Sequence, residues 1–546
     1  MRPVFHLRAV RLWFQIQVQG PMKASLPPWA EHGPTTRFAH KPGHSRFPWW
    51  NCCVTADPEV RTDAGAVRGS CDKGVAAFRG IPYALPPVGA HRFGHPVPPA
   101  SWDGVRETKV FGPPSPQAGA SDSEVNASWL TLNVWSPGLG AAGVPVMVWI
   151  HGGRYLEGYS ANPHQNGATL AACGVVVVSL NYRVGAEGFA RIAGAPNNRG
   201  LLDQIAALRW VQDNITAFGG NPHNVTVFGQ SAGGGSVASL LTMPASAGLF
   251  TRAIAQSVPG TFFTERLAAT ISDEIAGELG AQATTTDLQR FSPQALVAAS
   301  ERLLQRMPHF VDAWGPMALT PTPFSPIVDG ATLPETPWRA LAGGTSNSID
   351  LLVGHTRDEY SLFHPWHDND VPDGLLTDTI QRIAPISCRP GDYRAAYPDA
   401  SATELYEIVN ADWLFRMPCE HLAAAHHAGD GTARVYELAW SFNPDEGASH
   451  SLDMLLVFGT LTRNDITSHP TALPGAADEY EQLSRNMRTD WVDFATHGAP
   501  SWPPYEPPGT RTTRIYSADT TDRPYPEESS RRLWAHHKFY ALDLSI

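Results

Sequence analysis

Charge is scarce in this chain of 546 residues: Asp, Glu, Lys and Arg together make up 17%, against roughly 25% in typical soluble domains. With 42% apolar residues, that excludes a disordered or coiled-coil chain and leaves a packed globular one. Cations are fewer than anions, 40 against 52. They are also dispersed, so no dense basic stripe exists to neutralise a phosphate backbone and nucleic acid is not an expected partner. Lysine is rarer still, five of those 40 cations, which together with abundant Ala suggests a GC-rich, bacterial genome. Long apolar runs are missing. The best candidates, Val144 to Ile150 and Gly174 to Leu180, are strand-sized and fall short of the roughly 20 residues a membrane helix needs, so no membrane partner is expected.

Cysteine is sparse, and Cys52, Cys53, Cys71, Cys173, Cys388 and Cys419 form no CxxC pair and no metal-type Cys/His spacing. They read as free thiols of a reducing compartment. Near the start, Arg2, Arg8 and Arg11 precede an apolar stretch that three Gln interrupt, and no small-residue cleavage site follows, so no secretory signal is recognised and a cytoplasmic location is expected. The sequons at Asn126, Asn214 and Asn224 accordingly read as chance matches, Asn224 being expected inaccessible beside a strand.

Residues 1–57 show scattered Trp, His and Pro without periodicity and read as a poorly ordered leader, while 58–546 read as a single domain. From Glu59 onward short apolar strands alternate with helical patterns, the signature of an α/β architecture. The runs VPVMVWI at 144–150 and GVVVVSL at 174–180 suit parallel strands covered on both faces. Residues 201–215 place Leu202, Ile205, Ala206, Leu208 and Val211 on one helical stripe, and the NPHN turn at 221–224 leads into the strand Val225–Phe228. Asp350–Gly354 and Arg434–Trp440 are further strand candidates. Helical insertions over about 263–345 and 360–430 are expected to cap one end of the sheet.

The strand at Val225 runs into Gly229-Gln230-Ser231-Ala232-Gly233, a G-x-S-x-G pattern followed by an apolar helical segment, 236–243. In that context the tight strand-to-helix turn strains the central residue and exposes its hydroxyl at the sheet edge, with the helix N-terminus facing a developing oxyanion. A serine used in this way needs a neutral His and a carboxylate that orients it. With 21 His and 52 acids in the chain, spacing alone does not choose either partner.

The chain resembles the type-B carboxylesterase family over about residues 57–546. The resemblance rests on Val75 to Ala84 (VAAFRGIPYA), Leu130 to Trp135 (LTLNVW), His151-Gly152-Gly153, Leu180 to Gly185 (LNYRVG), Asn198 to Gln204 (NRGLLDQ) and Asn224 to Gly234. It implies an α/β-hydrolase fold: a central, mostly parallel sheet with helices on both faces and a helical cap. It implies a serine ester hydrolase whose nucleophile is Ser231, whose acid is Glu359 of GHTRDE, and whose base is His450 of HSLDMLLVFG. Asp358 competes with Glu359 for the acid role, and a bland reading of Glu359 pairs it with Arg357 on a surface loop. Backbone N–H groups of Gly153, Arg154 and Ala232 would form the oxyanion hole. Ser257 matches a family serine that hydrogen-bonds the acid. No cofactor or metal is implied, and the expected partner is a small-molecule ester.

Several positions depart from the family pattern. Tyr360 replaces the usual Gly after the acid. Arg154 stands where Gly or Ala is usual, its side chain either pairing with Glu157 or lining the pocket mouth. Gln230 replaces the Glu common before the nucleophile, and residues 117–128 lack the Trp on which cholinesterases stack quaternary ammonium. Ser115 and Trp129 occupy positions where many relatives have a disulfide. Gln230, the missing Trp and Arg154 favour neutral short-chain or aryl esters over choline esters. Alternatives are a carbamate or amide hydrolase with the same triad and, more distantly, a non-catalytic neuroligin-like binding protein.

Overall fold

The computed structural model describes residues 57–545 apart from 73, 121–127, 141–142 and 364–370. The leader 1–57 therefore lies outside the described residues except for Asp57, as do Cys52, Cys53 and Asn126. Cys71, Cys173, Cys388 and Cys419 are free thiols.

Eleven strands build the central sheet among the described residues: β1 (Ser70–Asp72), β2 (Val75–Pro82), β3 (Thr131–Ser136), β4 (Val144–Ile150), β5 (Val176–Leu180), β6 (Gly220–Gln230), β7 (Arg252–Gln256), β8 (Asp350–Thr356), β9 (Ala433–Leu438), β10 (Thr512–Tyr516) and β11 (Thr521–Pro524). Their spatial order is β11-β10-β9-β8-β7-β6-β4-β5-β3-β2-β1. The seven central strands run parallel, and antiparallel neighbours close both edges. Side chains alternate across this sheet, as a strand period of two demands. Val146, Val148 and Ile150 enter one apolar core with Val225 and Val227, whereas Met147, Trp149 and Phe228 enter the other.

Helices cover both cores: α1 (Arg199–Asn214) and α2 (Ala232–Leu240) on one face, α3 (Leu452–Phe458) and α4 (Ala476–His497) on the other. Two details differ from the pattern in the sequence. In α1, Leu202 and Ala206 are only half-buried, while Leu201, Asp203, Gln204 and Ala207 are buried, because Asp203 binds the fully buried Arg183 with two hydrogen bonds from its guanidinium. The helix is turned by that ion pair as well as by its apolar stripe. The Asn221–Asn224 turn lies within β6 as a bulge: Val144 pairs with Gly220 and Val146 already with Val225, while Asn221 Oδ1 accepts the His223 N–H at 2.9 Å. Asn224 is half-buried rather than inaccessible, and its side chain binds Arg252. Asn214 is buried.

Between β7 and β8 lie helices Glu265–Gly277 and Pro293–Arg306 and a two-stranded ribbon of Phe263–Thr264 with Ile327–Val328. Helices Asp373–Ile383, Ala402–Ala411 and Met417–Ala428 lie between β8 and β9. No helix among the described residues is long and apolar enough to cross a membrane.

Candidate active site

Ser231 sits between β6 and α2 with φ 58° and ψ −125°, a region that L-residues avoid at roughly 1–3 kcal/mol. The neighbouring glycines make the turn possible. A Cβ on Gly233 would stand 2.1 Å from the Ile150 carbonyl oxygen, and one on Gly229 would stand 2.6 Å from the backbone of Gly233. Ser231 N–H is anchored on the Gln256 carbonyl at the end of β7, 2.9 Å away. The helix begins at Ala232, four residues earlier than the apolar segment suggests, so its N-terminus abuts the serine directly.

Glu359 follows β8 and is fully buried. Its Oε1 accepts the Thr356 N–H at 2.9 Å, and its Oε2 meets Nδ1 of His450 in a short contact. Ser257 is buried beside it, its hydroxyl making no hydrogen bond of ordinary geometry among the described residues. Like Ser231, Ser257 has positive φ, 50°. Burial alone would raise the Glu359 carboxyl, but the adjoining His450 ring, the nearby Ser257 hydroxyl and the Thr356 N–H together hold it below its ordinary range.

The surface-loop reading of Glu359 fails because Arg357 binds Glu437 instead, at 2.7 and 2.9 Å. Asp358 has a different task. Its N–H donates to the Ala448 carbonyl at 3.0 Å and its Oδ2 accepts the Ala448 N–H at 2.7 Å, latching the loop that carries Glu359 to the loop that carries His450.

His450 is 4% exposed. Its ring packs on Phe415, centroids 4.5 Å apart, and on Phe363 at 5.3 Å. With Nδ1 facing the carboxylate, Nε2 is the acceptor, and it receives the Gln230 carboxamide at 3.1 Å. That is the tautomer a general base requires. Gln230 adjoins Ser231 in the chain, so the elbow and the imidazole meet through this side chain. Among the described residues no hydrogen bond links the Ser231 hydroxyl to His450.

The His151–Gly158 turn closes the site. A Cβ on Gly152 would approach the Ser231 Cβ to 3.2 Å, which puts this turn against the elbow, with Gly153 (φ 116°) and Arg154 (φ 59°) next in line. His151 is fully buried and stacked on Tyr182, centroids 4.3 Å apart, and burial lowers it to about 4, which keeps it neutral. The Arg154 side chain pairs with Glu157 at 2.5 Å, the first of the two orientations its sequence allows.

Sequence reasoning missed Phe415 and Phe363, which pack on the imidazole, and Asp453, buried where Gln256 Nε2 and the Tyr436 hydroxyl donate to its Oδ2 at 2.9 and 2.6 Å. The only available signal was for Asp453, three positions after His450. Phe415 lies on a π-helical turn, Asp412–Arg416, that no local pattern announces.

The sequence pattern of the carboxylesterase family matches residues 56–533. Over 507 residues the chain is 36% identical to the para-nitrobenzyl esterase of Bacillus subtilis, covering 87% of this chain and 97% of that protein. It is 34% identical to the fumonisin B1 esterase of Sphingopyxis macrogoltabida, covering 83% and 86%. A solved para-nitrobenzyl esterase structure superimposes with a TM-score of 0.76 at 34% identity, covering 88% of this chain and 99% of that one.

Proposed function

This chain belongs to the carboxylesterase family, with its α/β-hydrolase fold and its ester-hydrolase activity, and from that premise we propose that it hydrolyses neutral short-chain or aryl esters through Ser231, His450 and Glu359. The observation that carries the reading is the buried carboxylate of Glu359 on Nδ1 of His450, which leaves Nε2 as a proton acceptor beside the strained elbow of Ser231.

In this mechanism Ser231 Oγ attacks the ester carbonyl while His450 Nε2 takes its proton. Glu359 stabilises the imidazolium. Negative charge developing on the carbonyl oxygen is met by the N–H groups of Gly153, Arg154 and Ala232, which supply several kcal/mol of transition-state stabilisation. His450 then returns the proton to the departing alcohol, leaving an acyl-enzyme, and water activated by the same imidazole releases the acid.

Hydrolysis of para-nitrophenyl acetate by wild type and Ser231→Ala tests the assignment. The variant is expected to fold normally and retain below about 1% of the activity, since loss of a triad member removes about 10⁴-fold or more. Higher residual turnover moves the nucleophile elsewhere. Matched para-nitroanilide and carbamate substrates in the same assay rank the amide and carbamate alternatives, which are expected to be turned over more slowly than the ester.

A further inference from the structure

Three consecutive residues of the turn beside the nucleophile, Gly153, Arg154 and Tyr155, have positive φ: 116°, 59° and 58°. Only the first is glycine. Adjacent non-glycine residues in the left-handed region are disfavoured by about 1 kcal/mol or more each and persist only where the surroundings over-determine them.

Part of that determination is local. The Gly153 carbonyl accepts the N–H groups of Leu156 and Glu157, both at 3.0 Å, and because the peptide is trans the Arg154 N–H must point the opposite way. The rest comes from a segment 168 residues further along. Thr322 Oγ1 donates to the Arg154 carbonyl at 2.7 Å, and the Arg154 guanidinium donates to the Pro321 carbonyl at 3.2 Å while its other arm holds Glu157. Both the main chain and the side chain of Arg154 are therefore tied to residues 321–322.

Thr322 is itself immobilised. It is 8% exposed, its Oγ1 accepts the Phe324 N–H at 3.1 Å, and its carbonyl accepts the Thr320 hydroxyl at 2.8 Å. The hydroxyl orientation needed to accept from Phe324 leaves its proton for the Arg154 carbonyl.

We propose that Thr322 is a positioning residue for the oxyanion hole: by fixing the carbonyl of Arg154 it holds that residue in its left-handed conformation and so aims the Arg154 N–H at the oxygen of the tetrahedral intermediate. The proposal rests on reading the Arg154 N–H as an oxyanion donor. It links the segment before β8 to the chemistry through one hydroxyl, and the Arg154 side chain, unusual at this position, adds a second tie along the same path.

The test is Thr322→Val, which keeps the shape and removes the donor, beside Thr322→Ser, which keeps the donor. Active sites are counted by stoichiometric organophosphate labelling, and para-nitrophenyl acetate kinetics are expressed per labelled site. Thr322→Val is expected to lower kcat about tenfold with KM within about twofold, a fraction of the 10²–10³ lost when an oxyanion donor is removed outright. Thr322→Ser should stay within about threefold of wild type. A trifluoromethyl ketone, which forms an oxyanion adduct, should bind Thr322→Val weaker by the same factor as kcat/KM falls. A merely structural role would lower Tm and the labelled fraction and leave kcat per site and ketone affinity unchanged, and that result overturns the proposal. Should Thr322→Val not fold, Thr322→Ala, which also removes the donor, is expected to show the same fall in the same two readouts; wild-type values there overturn the proposal equally. Failure of the underlying reading has its own signature: a wild-type enzyme that the ketone does not inhibit.

Discussion

The Gln230 carboxamide lies 3.1 Å from Nε2 of His450, the nitrogen that receives the proton of Ser231 in the proposed mechanism. On the proposed mechanism the imidazole rests against a neutral donor, and Ser231 would take the place of Gln230 on the same lone pair. A carboxamide is the side chain that permits this, because its NH₂ serves neutral imidazole and its oxygen serves imidazolium. Among the described residues, the other groups facing the ring are the Glu359 carboxylate and the apolar rings of Phe415 and Phe363, with Asp358 next to Glu359 in the chain.

Gln230→Glu replaces a neutral partner by a carboxylate that can only accept, which favours the imidazolium. The acid limb of the kcat/KM profile for para-nitrophenyl acetate is expected to move to higher pH. An unmoved limb would mean that the carboxamide does not face the base in solution.

Glu359 and Asp358 separate by the partners they hold. Glu359→Gln removes the counter-charge of the imidazolium and is expected to lower kcat by about 10²–10⁴-fold. Asp358→Asn keeps an oxygen for the Ala448 N–H and is expected to remain within about tenfold of wild type. Steady-state kinetics on the two variants decide, and the reverse ranking would reassign the acid.

How far the sequence discloses this site follows from which forces are local. The elbow is legible because Gly229 and Gly233 are demanded by backbone contacts within a few residues of Ser231 and with the adjacent strand. Val144–Ile150 and Val176–Leu180 are legible because strands covered on both faces cannot carry polar alternation. By contrast, nothing in the order Arg357-Asp358-Glu359 says which acid meets His450; that depends on the bridge between Asp358 and Ser449, which sets the register of two loops some 90 residues apart. The face that α1 turns toward Arg183 and the tie from Thr322 to Arg154 are likewise products of tertiary packing. A polar residue shows its partner only once the chain has brought the two together.

Glu407, half-buried on the helix Ala402–Ala411, gives a pH dependence of stability. Burial, with the Asp358 charge beside it, pushes its carboxyl up to about 7, against about 4.3 in an unfolded chain. The folded state therefore holds this proton more tightly. Its contribution is fully present below about pH 4 and is lost as pH rises through about 7. Glu407→Gln is expected to match wild type in Tm at pH 5 and to exceed it at pH 8. A lower Tm for the variant at pH 8 would show instead that the carboxylate is stabilised in the fold.

Substrate charge is the last consequence of the elbow. With Gln230 neutral and the Arg154 guanidinium engaged by Glu157, neither residue offers a cationic alcohol moiety an unpaired carboxylate next to the nucleophile. A unit charge pair several ångströms apart near a protein surface is worth roughly 2–4 kcal/mol before solvent screening, so a missing carboxylate is large enough to rank substrates that share an acyl group. Phenyl or ethyl butyrate is expected to exceed butyrylcholine in kcat/KM by about tenfold or more, equivalent to about 1.4 kcal/mol. Gln230→Glu restores a negative charge at the same backbone position and should narrow the gap, chiefly through KM for the cationic ester, because the charge is present in the ground state as well as in the transition state. The comparison is made on the pH-independent plateau of each enzyme, so that protonation does not enter the ratio. A wild-type preference for butyrylcholine would require a source of negative potential other than residue 230, and an unchanged ratio in the variant would show that the alcohol moiety leaves the site away from it.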